Sequence, residues 1–140
     1  MKVITIHFAI ILGFLFNIAY GQNCSTKYDS LTNRTYYVMT DKMPKYKDGG
    51  EHLKNTIQKN LKWPGKMCCI EGTVYVSFIV EPSGQLTNRR IVRGISSQKP
   101  CDADGEAVRV LDFLNECIPG ECNGEKVSVE IAIPIKFSLM

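Results

Sequence analysis

The fold is decided between Glu71 and Gly94, in the stretch EGTVYVSFIVEPSGQLTNRRIVRG. Val74, Val76, Phe78 and Val80 alternate with Thr73, Tyr75, Ser77 and Ile79. That period of two puts successive side chains on opposite faces of a strand. Both sets are largely apolar, which suits a strand with neighbours on both sides. Glu81-Pro82-Ser83-Gly84 supplies a turn, with Gly84 free to take positive φ. QLTNRRIVRG then returns as a more polar strand. The stretch is an antiparallel hairpin, Gly72–Val80 against Gln85–Arg93, and it carries no catalytic constellation.

Upstream, EHLKNTIQKNLKWP places Leu53, Ile57 and Leu61 on one stripe of a helix that Pro64 stops. Trp63 is expected to pack under its end. Before it, DKMPKYKDGG is a turn-rich link, and Thr35–Thr40, TYYVMT, is a candidate short strand. Downstream, a second helix is expected over about Ala103 to Leu114, with Ala107, Val110, Leu111 and Leu114 on one stripe. Asp102 or Asp104 would cap it. Cys117 to Gly124, with its Pro-Gly and Asn-Gly pairs, reads as a loop. KVSVEIAIPIKF closes the chain as a strand with Val127, Val129, Ile131, Ile133, Ile135 and Phe137 on one face.

The 140 residues allow one domain, with 44% hydrophobic and 22% charged residues, a globular composition. Lys2 is the only charge before Gln22, and the remainder carries 16 basic and 14 acidic side chains. That balance gives no reason to expect nucleic acid or an anionic membrane as partner. Residues 1–21, MKVITIHFAIILGFLFNIAYG, read as a signal peptide: a basic start, an apolar centre and Ala19-Tyr20-Gly21 at the cleavage site. The rival reading is an uncleaved anchor. Val3 to Ala19 is about 17 residues, at the short limit of a spanning helix, and His7 and Asn17 interrupt it. Residues 22–40 read as a polar leader, loose up to Thr32, and residues 41–140 as the folded domain.

Six cysteines, Cys24, Cys68, Cys69, Cys101, Cys117 and Cys122, lie beyond the signal. An even count in an exported chain points to disulfides. No Cys-x-x-Cys pair exists and His52 is the only histidine after the signal, so metal and redox-enzyme readings lack their motifs. His52 sits among charged residues and reads as a solvated surface histidine. No Gly-rich phosphate loop occurs. DADGE at Asp102–Glu106 matches the start of a calcium loop, but its twelfth position is Phe113 rather than a glutamate. No cofactor, no metal and no enzymatic activity are expected.

Four pieces stand in order: MPKYKDGGEHLKNTIQKNLKWP, EGTVYVSFIVEPSGQLTNRRIVRGI, EAVRVL and PGECNGEKVSVEIAIPIKFSL. Together, from Met43 to Leu139, they resemble the C-terminal domain of TonB proteins, in the form common among Bacteroidetes. The sequence departs from that pattern at Cys117, where the family has an aromatic residue, and at Asp102–Gly105, which adds residues before the helix. The resemblance implies a periplasmic protein-binding domain. It would grip the TonB box, a short extended segment of TonB-dependent outer-membrane transporters. If residues 1–21 stay uncleaved, it implies instead a short anchored energy transducer working with an inner-membrane proton-channel complex. About 20 residues then separate Gly21 from Asp41, reaching roughly 70 Å when fully stretched, without Pro-rich stiffening.

Chain direction sets the expected topology. The second helix brings the last strand back parallel to the returning hairpin strand. A fully antiparallel sheet then has one order: returning strand, opening strand, C-terminal strand. The expected fold is α+β, two helices on one face of a three-stranded antiparallel sheet, with Thr35–Thr40 as a candidate extra strand. The C-terminal strand is an edge, and Pro134 agrees because proline cannot donate to a ladder. The expected partner-binding edge is Lys126, Val127, Ser128, Val129, Glu130, Ile131, Ala132 and Ile133, taking up an extended segment by strand addition. A homodimer through the same edge is the alternative. Leu53, Ile57, Leu61, Val74, Val76, Phe78, Val110, Leu111, Ile131 and Ile133 are the expected core. The topology puts Cys101 beside Cys68 and Cys69, Cys117 beside Cys122, and leaves Cys24 for whichever of Cys68 and Cys69 is free.

Overall fold

The computed structural model describes residues 23–138. The expected signal or anchor, residues 1–21, lies outside the described residues. Among the described residues, nine strands and two α-helices follow in the order β1 (Ser25–Asp29), β2 (Arg34–Met39), β3 (Lys45–Tyr46), α1 (Gly50–Asn60), β4 (Gly72–Val80), β5 (Leu86–Arg93), α2 (Ala103–Arg109), β6 (Cys117–Ile118), β7 (Gly120–Cys122), β8 (Glu125–Val127) and β9 (Val129–Phe137). A 3-10 turn, Val110–Phe113, continues α2.

The α+β class holds, but the sheet is mixed and five-stranded, in the order β1-β2-β9-β4-β5. The expected run β5-β4-β9 lies within it, all antiparallel. β4 and β9 pair without a break from Gly72↔Phe137 to Val80↔Val129. Two expectations fail at the N-terminus. The polar leader is not loose: Ser25–Asp29 pairs with β2 as a hairpin. Nor is β9 a free edge along its whole length, because β2 meets it in parallel at Tyr37↔Val129. The C-terminal strand is also shorter than expected. Lys126 and Val127 belong to β8, which turns back on β7 through Asn123 and Gly124, both at positive φ. Two adjacent left-handed residues make the tight turn that Asn-Gly favours, so a segment read as loop is a small hairpin.

The core follows the alternation. Val74, Val76, Phe78 and Val80 are buried in one cluster with Ala107, Val110, Leu111, Ile135 and Phe137. At about 1.5–3 kcal/mol per large buried side chain, these residues dominate stability. Leu53, Ile57, Leu61, Ile131 and Ile133 join the cluster only as partly buried residues, and α1 has no fully buried residue. Ile79 and Ser77 point the other way, yet they too are buried. Across that second face lies the β1–β2 hairpin. Its Asp29 pairs with Arg90 on β5, and its Arg34 with Glu81 in the β4–β5 turn.

Two disulfides are formed, Cys68–Cys101 and Cys24–Cys122. Cys68–Cys101 joins the entry to β4 with the segment after β5. The expected Cys117–Cys122 pair does not form, and neither does a pair between Cys24 and Cys68 or Cys69. Cys117 pairs instead by backbone with Tyr46 and is buried as a free thiol. β1 carries Cys24 to β7 and so to Cys122. Cys69 is free and exposed.

Candidate functional site: the open edge of β9 and its groove

Bonding direction alternates along a strand. The Tyr37 amide donates to the Ser128 carbonyl at 2.9 Å, so the carbonyl of Ser128 and the amide of Glu130 face β2. By the same alternation, the backbone groups of Ala132, Pro134 and Lys136 point away from β4. β2 pairs with β9 only at Val129. Ala132 through Lys136 is therefore an unpaired edge, and Pro134 sits at a position whose nitrogen faces outward, where no ladder bond is lost.

A groove of about 570 Å³ runs beside this edge. Leu53 and Ile57 of α1 and Leu61 just after it form one wall, and Ile133, Pro134, Lys136 and Ser138 form the other. This is why the α1 stripe is only half buried: part of it faces the groove. Lys54 and Lys136 are the charged lining residues. The end of α1 is pinned by α2. Arg109 donates to the Asn60 carbonyl at 2.7 Å, and Glu106 accepts from the Lys62 amide at 2.6 Å. Desolvation pushes the Glu106 carboxyl up, but the bonds from Arg109 and Lys62 outweigh it and hold the carboxyl below its usual range. Trp63, just after α1, donates to the Cys68 carbonyl at 2.9 Å and stands edge-on to Phe137. His52 is exposed and stacks on Tyr46.

The other sheet edges are less regular. β5 is broken by two register shifts and carries Arg89, Arg90 and Arg93. β1 shifts between Ser25 and Thr26 and carries Lys27. Bulges and charges of this kind discourage strand pairing. Of the residues named from sequence as the partner edge, the structure places Lys126 and Val127 in the β7–β8 hairpin and commits Ser128 and Glu130 to β2. Ala132 and Ile133 lie where the open edge and groove meet. Pro134 and Lys136 also belong to that edge, beyond the residues named from sequence: a proline whose nitrogen faces outward is a silent member of the ladder. Among the described residues, Cys24, Asp41 and Cys122 bring three donor atoms within 4.8 Å of one another. Two of those atoms are the bonded sulfurs of a disulfide, so no metal set exists there.

A family model for the Gram-negative bacterial TonB protein C-terminal matches residues 66–139, more than half the chain. The chain belongs to the TonB C-terminal family. TonB C-terminal domains act in the periplasm, in TonB-dependent transport, as partners of other proteins. The match takes in β4 to β9 and leaves β1–β3 and α1 ahead of it. No curated protein and no solved structure matches the chain. Among the described residues no helix is long and apolar enough to cross a membrane.

Proposed function

We propose that this TonB C-terminal domain binds an extended segment of an outer-membrane transporter, its TonB box, by strand addition to β9 at Ala132–Lys136. The observation that carries the reading is the conjunction of an unpaired, unbulged strand edge with an apolar groove directly beside it. The backbone of an added strand takes up the outward groups of Ala132 and Lys136 and the carbonyl of Pro134. Its alternate side chains enter the groove against Leu53, Ile57 and Leu61, while Lys54 and Lys136 favour a segment carrying a carboxylate. With residues 1–21 cleaved, the domain is a free periplasmic binding module. With them retained, it is a short transducer coupled to a proton-channel complex. The N-terminal residue of the protein isolated from cells separates the two: Gln22 for the module, Met1 for the anchor.

Ala132→Pro tests the site. Proline there repeats what Pro134 already does: it removes an outward donor and leaves the β4 ladder untouched. Glu130, whose amide faces β2, is unsuited to this test. The variant is expected to keep its circular dichroism spectrum and melting temperature. Its affinity for TonB-box peptides, by calorimetry, should fall about tenfold, near 1.4 kcal/mol for one lost backbone bond. A folded Ala132→Pro protein that binds as tightly as the parent rules out this edge.

A further inference from the structure

We infer that the β1–β2 hairpin is a hinged flap over the head of the β9 edge, opening to lengthen the edge available to a partner strand. The inference rests on the strand-addition reading above. Both feet of the hairpin stand on β7. Cys24 is bonded to Cys122, and Lys42 exchanges two backbone bonds with Glu121, at 3.1 and 2.9 Å, beside a side-chain ion pair at 2.7 Å. The body of the hairpin is held differently. A single bridge seats it on β9: the Tyr37 amide donates to the Ser128 carbonyl, and the Glu130 amide faces Tyr37. Ion pairs reach out to three separate places: Lys27 to Glu130 at 3.8 Å, Asp29 to Arg90, and Arg34 to Glu81 at 3.1 Å. Tyr36 is the hairpin's buried aromatic residue, its hydroxyl bonded to Thr32 and Asn88. Tyr28, Leu31, Val38 and Met39 are all exposed.

A segment with fixed feet and a polar body, whose own apolar side chains are mostly exposed apart from Tyr36, opens at lower free energy than the core beneath it. β2 occupies the same edge of β9 that a partner uses. With the flap down, that edge begins at Ala132. With the flap up, the carbonyl of Ser128 and the amide of Glu130 become free, and a longer segment can pair from Ser128 to Lys136. The flap returns to the same seat because its feet never leave β7.

The test uses the full oxidised chain and two peptides from one TonB box, about five and about nine residues long at roughly 3.3 Å per residue. The longer spans the flap's seat and the shorter does not. A ligand that needs a minor open state binds with its affinity discounted by the open fraction. Loosening the flap by Arg34→Gln, at an exposed ion pair, or by Asp29→Asn should therefore tighten the long peptide about five- to tenfold and leave the short one unchanged. Hydrogen exchange on the free protein gives a second readout: the amides of Tyr37 and Glu130 should exchange at least about a hundredfold faster than those of Val76 and Ile133. Equal response of the two peptides overturns the flap, as does a Tyr37 amide as slow as that of Val76. If neither peptide binds the parent chain, strand addition fails, and the exchange pattern still decides the flap.

Discussion

Gly84 shows how much a single position carries. It takes a φ of 87° at the end of the β4–β5 turn, where its amide closes the turn on the Glu81 carbonyl. Its own carbonyl accepts from the Cys117 amide at 2.8 Å. A Cβ at this position would lie 2.3 Å from the Cys117 carbonyl oxygen. Gly84→Ala therefore meets both a disfavoured backbone conformation and a backbone clash, and should lower stability by about 2 kcal/mol or more, read as a lower urea midpoint at unchanged slope. The same contact explains why Cys117 stands free. It is held against the turn and against Tyr46, and burial pushes its thiol up. Cys69 is exposed one residue beyond a bonded neighbour. Iodoacetamide under native conditions is expected to label Cys69 and to reach Cys117 only after unfolding; equal labelling of both would place Cys117 outside the core.

At the scale of elements, the hairpin that defines the fold was legible because β4 obeys a period of two over its whole length. The helix stripes were legible as well, although α2 tightens into a 3-10 turn at Val110. What sequence concealed was pairing without periodicity. One parallel bridge at Tyr37 leaves no pattern, and polar strands such as Ser25–Asp29 read as leader. The Asn123-Gly124 turn did carry a signal, but the strands on either side are only three residues each. The half-exposure of Leu53, Ile57 and Leu61 depends on a groove that no helical stripe announces. The β1–β2 hairpin also governs acid sensitivity. Hydrogen bonding from Arg90, aided by Thr32 and the Leu31 amide, holds the Asp29 carboxyl well below the usual range. Desolvation pushes Glu81 up, but bonds from Arg34, Ser128 and Thr87 outweigh it and leave that carboxyl low as well. A carboxyl depressed in the folded state stabilises fully above its unfolded pKa, near 4, and loses that contribution as pH falls through the folded value. Stability should therefore decline in acid below about pH 4, with a shallower decline in Asp29→Asn. An identical acid limb in both proteins would show that the Asp29 pair contributes nothing.

Across the whole molecule, the two disulfides serve different parts. Cys68–Cys101 closes a loop of 33 residues around the central hairpin, worth about 3–4 kcal/mol in the chain-entropy account. Cys24–Cys122, at a separation of 98, binds the N-terminal hairpin to the far end of the chain. Replacing Cys68 and Cys101 by serine should lower the melting temperature of the entire domain in one transition. Replacing Cys24 and Cys122 should chiefly raise hydrogen exchange in residues 24–40, with β4 and β9 amides little changed. Peptide mapping without reduction tests the pairing directly, and a Cys117–Cys122 link would refute it.

Pro134 has a further effect on how copies of this protein meet one another. Two molecules bringing their open β9 edges together antiparallel would match most outward groups by setting Ala132 of each against Lys136 of the other. That register faces Pro134 with Pro134, and both central bonds of the joint ladder vanish for want of a hydrogen. A foreign strand meets only one such gap. The edge thus disfavours pairing with a second copy of itself in this register, while it stays open to a foreign strand.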